Sequence, residues 1–350
     1  MASPLESTIE VTPLAGAMRG HFTNANPLWN PPGARGVYGG ILIAQSLAAG
    51  QKMVSSDLTV HSMHCLFINA GRAGIPIIYE VEVMDDTSDR VTQTVHAKQE
   101  ESPIFTASIS FIRATQIEEV LSHYTPKPHI PPPPIGSKPQ SAAEWDEDRP
   151  FQTRRIEPAF GIYPLTDDEY TKKPHCTPEN RKYLQWMQAR GQISEPEGDS
   201  MHSCALAYMS DNFFIGTVAR AQHVPRFSSS QSIELIQNLG LEHDDESQIA
   251  KRHLQGLAEQ ELADFKYTPG MNEQIGMMVS LSHSIYFHHH SFRADEWMLS
   301  EMSSPWAGEG RGLVAQSLWT QSGILIATCV QEGVVRLVQD AKVDIPQSKL

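Results

Sequence analysis

Asp211 stands in LAYMSDNFF, in the company of Leu206, Tyr208, Met209, Phe213 and Phe214. A carboxylate in apolar surroundings loses hydration, and desolvation raises its basicity toward what a general base needs near neutral pH. An aspartate at a helix end can equally do no more than cap a backbone N–H. Gln331 lies in CVQEGVVRL, where strand alternation puts Cys329, Gln331, Gly333, Val335 and Leu337 on one face. A neutral amide on that face costs stability unless it finds partners. Its oxygen can accept from a water, and its nitrogen can donate to an acyl oxygen or to Asp211. The plain alternative is a satisfied core glutamine. His288, His289 and His290 form a consecutive run that invites a metal reading. A strand would aim them to alternating faces, however, and no H-E-x-x-H spacing supplies converging ligands, so no metal is expected. There is no G-x-S-x-G elbow either, and no cofactor fingerprint stands out.

These residues need elements to hold them. The apolar run GGILIAQSLAAGQKM, from Gly39, predicts a helix buried nearly all round, and SCALAYMSDNFFIGTVARA predicts its counterpart later in the chain. After each comes a series of short strands broken by Gly, Asp and Ser turns, each series ending in a β-branched run. The first is VHSMHCLFINAG, GIPIIYEVEVMDD, RVTQTVHAKQE and SPIFTASISFIR; the second is VSLSHSIYFHHHS, EWMLSEMSSPW, RGLVAQSLWTQ and GILIATCVQEGVVRL. Each series opens on His-Ser-apolar, at His61 and His283, and each has a strand that opens on an arginine, Arg90 and Arg311. The chain therefore reads as an internal duplication of α+β class, two antiparallel sheets each wrapping a mostly apolar helix. Between the halves, TPKPHIPPPPIGSKP cannot form helix or interior strand. The divisions expected are 1–120, a proline-rich linker at 121–149, a second half at 150–342, and a tail at 343–350. Within the second half an acidic, helical insert is expected at about 240–270, where Leu254, Leu257, Leu262 and Phe265 recur near helical spacing as a rim helix.

A net charge of −14 excludes a nucleic-acid binder but leaves room for a small anionic ligand held by a local cluster of Arg and Lys. No apolar run is long enough to span a membrane, and the N-terminal residues show neither a secretory nor a mitochondrial leader pattern. The scattered Cys65, Cys176, Cys204 and Cys329 read as buried thiols of a reducing compartment. Ser348-Lys349-Leu350 is the tripeptide that a peroxisomal import receptor reads at a C-terminus, so a peroxisomal location is expected.

Over roughly Gly36 to Leu337 the repeated helix-plus-sheet pattern, with HSMHCLFINAG and PIIYEVEV in the first half and HSIYFHHHSFRADEWMLSE and VQEGVVR in the second, resembles the type II acyl-CoA thioesterases. The resemblance implies a double hotdog fold, an acyl-CoA substrate, no cofactor and no metal, and it allows a homo-oligomer. It implies that hydrolysis depends on Asp211, Ser280 in VSLSHS, and Gln331, with water attacking directly. Alternation alone would put Ser280 with Ser282 and Ser284 on the solvent side, so only the resemblance selects it. It also places the histidine run at a strand end beside the site. One position departs from the family pattern, Ser282 standing where an Asp is usual.

Two rivals remain at this stage. A duplicated-hotdog enoyl-CoA hydratase would need an Asp and a His bracketing Asn-Pro, and TNANPLW has Asn26-Pro27-Leu28 without them. A non-catalytic acyl-CoA binder would have no use for Asp211, Ser280 and Gln331 together.

Overall fold

The computed structural model describes residues 2–31, 34–113, 122–133, 149–156, 177–194, 198–228, 230–239, 245–265 and 274–338. The tripeptide at 348–350, Cys176, linker residues 121 and 134–148, and the acidic stretch at 240–244 lie outside them.

Among the described residues, twelve antiparallel strands form one sheet in the order β1-β2-β4-β5-β6-β3-β9-β12-β11-β10-β8-β7. The first half contributes β1 (Val11–Pro13), β2 (His21–Asn24), β3 (Leu58–Phe67), β4 (Ile78–Asp86), β5 (Arg90–Gln99) and β6 (Ser102–Arg113). The second contributes β7 (Phe151–Arg155), β8 (Lys182–Ala189), β9 (Ile275–Phe287), β10 (Met298–Gly308), β11 (Arg311–Thr320) and β12 (Leu325–Leu337). The order is a mirror image about the β3–β9 pair, so the two expected sheets are joined edge to edge. Met63 and Ile285, which occupy the same place in the two repeats, face each other across that seam. A local two-fold between the halves must pass through this pair. Fusing the two edge strands there removes two open rows of backbone donors and acceptors that would otherwise invite aggregation.

Helix α1 (Pro4–Ile9) is closed by a capping box of Ser3 and Glu6, and the second carboxylate oxygen of Glu6 accepts from Ser194 N–H at 2.9 Å. This ties the first turn of the chain to the second half. Helix α2 (Gly39–Gln51) is buried along Gly40–Gly50, as its all-round apolar sequence requires. Its one buried amide is satisfied, Gln45 donating to Thr8 O at 2.8 Å and accepting from the Tyr79 hydroxyl at 2.7 Å. Helix α3 (Gly198–Ser210) packs against α2.

The counterpart helix expected as one piece is broken. It stops at Ser210, and α4 (Gly216–Gln222) starts afresh. The cause is local: Phe213 takes φ of 56°, a left-handed conformation that a helix interior cannot hold. Packing supports the unfavoured residue, since the Phe213 ring lies under Arg220 at 4.8 Å and beside the cluster of Ile236, Leu254, Leu257 and Ala258. That cluster belongs to α5 (Ser230–Leu239) and α6 (Asp245–Phe265); α6 falls within the rim helix expected around 240–270, burying Leu254 and Leu257 but leaving Leu262 exposed, whereas α5 precedes the expected range. Glu261 of α6 pins this pair to the body by accepting from the N–H groups of Arg226, Phe227 and Ser228 at 2.7–3.0 Å.

Candidate active site

The break after α3 puts Asp211 where two halves meet. Its carboxylate accepts from Gln331 Nε2 at 2.8 Å, and the same nitrogen donates to Ser280 Oγ at 3.1 Å. All three residues selected from the sequence therefore form one cluster, and a single amide holds the other two.

Ser280 arrives there because of a bulge. Along β9 and β12, Gln331 pairs with His283 and Glu332 with Ser282, but Gly333 pairs with Ser280, leaving Leu281 as the extra residue. One extra residue reverses the alternation beyond it. Ser280 thus leaves the face of Ser282 and Ser284 and joins that of Gln331, which corrects the solvent-side placement that strict alternation gives.

The fourth component comes from the other half. Tyr38, the N-cap of α2, provides no side-chain cap, and the Gly40 N–H of the first turn hydrogen-bonds to Asp211 instead. The capping role and the chemical role considered for Asp211 are therefore the same contact, made across the halves. The approach is close enough to require glycine: a Cβ on Gly39 would sit 2.7 Å from Asp211 Oδ2, and one on Gly40 would sit 2.3 Å from Tyr208 O. The Tyr38 hydroxyl donates to Tyr208 O at 3.0 Å, fastening the end of α3 to the start of α2.

Burial dominates the electrostatics. It raises the Asp211 pKa from 3.8 to about 7, against the opposing pull of the Gln331 and Gly40 donors. Beneath it, His283 is fully buried and its pKa falls to about 3 through desolvation, so the ring is neutral. His283 Nε2 pairs with Ser210 Oγ at 3.0 Å, and the ring meets Phe214 edge-on with centroids 5.3 Å apart. The last residue of α3 and the turn that presents Asp211 are held from below in this way. Burial also raises the thiols of Cys65 and Cys329, Asp211 adding to the effect on Cys65. Thiols kept protonated are poor nucleophiles, which agrees with the expectation of buried, inert cysteines. Above the site, the Arg149 guanidinium lies 5.2 Å from the Trp29 ring and 6.0 Å from that of Phe213.

Tyr38 and Arg149 were not singled out from the sequence, and His283 was singled out only as a marker of the repeat, with no role at the site. A histidine inside an alternating strand was the one available signal. The contacts of Tyr38 and Arg149 span the two halves and leave no mark on local spacing.

The histidine run does not lie beside this cluster. His288 follows the end of β9, eight residues beyond Ser280, or roughly 26 Å of strand. Its backbone N–H and that of His289 donate to Ile326 O, and its ring pairs with Thr328 Oγ1 at 2.9 Å. Among the described residues no group of three or more His, Cys, Asp or Glu is arranged to hold a metal.

Two helix-in-sheet repeats fused through one strand pair, with the cluster at the junction of their helices, constitute a double hotdog. Residues 26–112 match the acyl-CoA thioesterase N-terminal domain, and residues 132–335 match the acyl-CoA thioesterase C-terminal domain. The chain is 32% identical to acyl-coenzyme A thioesterase 8 of Homo sapiens, over 92% of this chain and 85% of that one. It is 24% identical to the peroxisomal acyl-coenzyme A thioester hydrolase 1 of Saccharomyces cerevisiae, over 95% and 94%. Among solved structures it resembles the acyl-CoA thioesterase II TesB2 of Mycobacterium marinum, with a TM-score of 0.63 and 24% identity over 97% of this chain and 99% of that one. The chain belongs to the acyl-CoA thioesterase family.

Proposed function

We propose that this enzyme hydrolyses acyl-CoA to free acid and CoA by direct attack of a water that Asp211 deprotonates. The observation that carries the mechanism is the single Gln331 amide donating to both Asp211 and Ser280. With its N–H groups so used, Gln331 Oε1 is buried and has no partner among the described residues, which makes it the acceptor available to an attacking water. The water then has Gln331 Oε1 to orient it and a carboxylate of pKa about 7 to take its proton. In the first turn of α2 the Gly40 N–H is held by Asp211 and the Ile41 N–H by Tyr38 O at 3.0 Å, which leaves the Gly39 N–H as the donor suited to the oxyanion that develops on the thioester carbonyl. Ser280 orients and does not attack, because its neighbour is an amide nitrogen and no base among the described residues accepts its proton.

A thiol reagent that detects free CoA separates hydrolysis from hydration and from mere binding. A single turnover in oxygen-18 water tests the mechanism: the first acid released should carry the label. Unlabelled acid with oxygen-18 in Asp211, or an acyl group on Ser280, would refute direct attack by water.

The peroxisome is the proposed place of work. The yeast relative bears that organelle in its name, and Ser348-Lys349-Leu350 is an address wherever it stands at a free C-terminus. Fluorescently tagged full-length protein should reach peroxisomes, and protein lacking the tripeptide should stay in the cytosol; cytosolic location of both would sink the proposal.

A further inference from the structure

His283 is fully buried beside the catalytic cluster, and the chemical steps stated above make no use of it. It lies on β9, the strand that carries Ser280, and directly opposite Gln331 of β12. Cross-strand partners share a face, so the imidazole, the amide and, beyond the bulge, the Ser280 hydroxyl all rise from one side of the sheet. Asp211 does not belong to the sheet. It follows the last residue of α3, so its reach to Gln331 and Ser280 depends on where that helix end sits.

The Ser210 hydroxyl links helix end to sheet, and counting hydrogens fixes the polarity of the link. Ser210 Oγ donates its single proton to Ala207 O at 2.9 Å. The His283 nitrogen 3.0 Å away must therefore supply the hydrogen of its own contact, so the ring is the neutral tautomer protonated at Nε2. The Cys329 thiol, which burial keeps protonated, brings its own hydrogen to the other lone pair of Ser210. Nδ1 is then a bare acceptor, and it is buried with no partner among the described residues.

Burying an acceptor that receives no hydrogen bond costs stability. An apolar side chain would fill the same space without that cost, so packing does not account for an imidazole here. What the imidazole supplies is a rigid N–H, held 3.0 Å from the hydroxyl of the residue that immediately precedes the base.

We propose that His283 is a positioning residue for hydrolysis: its Nε2–H holds Ser210 and so sets the place of the Asp211 carboxylate against Gln331 and Ser280. The proposal rests on the thioesterase function stated above. His283→Leu keeps apolar bulk and removes both ring nitrogens. It should be at least as stable as the parent in urea, because the unpaired acceptor is gone, yet its kcat should fall about 100-fold with KM little changed, the loss expected for a misplacement of about 1 Å. His283→Gln can place an amide N–H where Nε2 lies and should recover most of that loss. His283→Asn reaches only the Nδ1 position and should recover little. Ser210→Ala should cost as much as His283→Leu, and the double variant should cost no more than either, because the two residues act as one unit. In the unaltered protein, nitrogen-15 NMR should show His283 protonated at Nε2 and bare at Nδ1. Parental kcat or a marked loss of stability in His283→Leu, a Gln variant no faster than the Asn variant, losses that multiply in the double variant, or a ring protonated at Nδ1 overturns the assignment. An unaltered protein that releases no CoA from acyl-CoA refutes the thioesterase function instead, and the nitrogen-15 spectrum still decides the tautomer.

Discussion

Replacing Asp211 with Asn separates what the carboxylate does for turnover from what it costs the fold. The amide is nearly isosteric and its one oxygen can still accept from Gln331 Nε2 or Gly40 N–H, but it cannot take a proton. General-base catalysis supplies roughly 100- to 10,000-fold, so kcat should fall by that much while KM changes little. In the parent enzyme the rate should rise with pH through about 7, where Asp211 ionises, and this limb should vanish in the variant. The stability effect has the opposite sign. The folded-state pKa is raised from 3.8 to about 7, so between those values the unfolded chain has released a proton that the folded chain retains. Folding therefore weakens as pH rises across that window, by about 4 kcal/mol in all at about 1.4 kcal/mol per pKa unit. Between about pH 5 and about pH 9 the share lost is about 3 kcal/mol. Asn does not titrate, so the variant should gain about 3 kcal/mol relative to the parent between these two conditions, as measured by urea denaturation at each. A stability difference that stays flat with pH, or a variant that keeps its rate limb near neutrality, would show that burial has not raised this carboxylate.

Gln331→Ala removes a donor that opposes that rise, so the rate limb should move to higher pH, and kcat should fall less than for Asp211→Asn; a limb moving to lower pH refutes this. Ser280→Ala should cost less again, and combining it with Asp211→Asn should add little, because these groups act as a unit. Gly39→Ala would ordinarily stabilise a helix by about 1 kcal/mol. Here the added Cβ would lie 2.7 Å from Asp211 Oδ2 and 2.9 Å from the Phe67 ring, so both stability and kcat should fall, and a more stable, fully active variant would deny the close approach. Chelators should leave activity unchanged, and a loss restored by zinc would reopen the histidine run as a metal site.

The duplication was legible because the strands from β3 to β6 and from β9 to β12 are bounded by turn residues and follow the same order in both halves, and because α2 is apolar on all sides. Asp211 and Gln331 were legible because a polar group in apolar company must have a partner or a purpose. Ser280 was not, since alternation assumes an unbroken ladder and the extra residue at Leu281 reverses it. The helix break was hidden for a related reason: the left-handed turn at Phe213 is held by the distant α5 and α6 rather than by a local Gly or Pro. Nothing near Gly39 in the sequence announces a carboxylate from the other half, because that contact links residues 172 positions apart.

The two-fold at the Met63–Ile285 pair has an arithmetic consequence. Symmetry generates a second potential centre, where the end of α2 meets the start of α3. Register places Phe111 there in the role of Gln331, since Ser110 lies opposite Ser62 as Val330 lies opposite Ser284. At the end of α2, Gln51 donates to Ser200 O and accepts from the Cys204 thiol, so a neutral amide occupies the neighbourhood that Asp211 holds in the working copy. The proposed catalytic set is therefore present at one of the two symmetric places, and binding of an uncleavable substrate analogue should saturate at a stoichiometry of one per polypeptide.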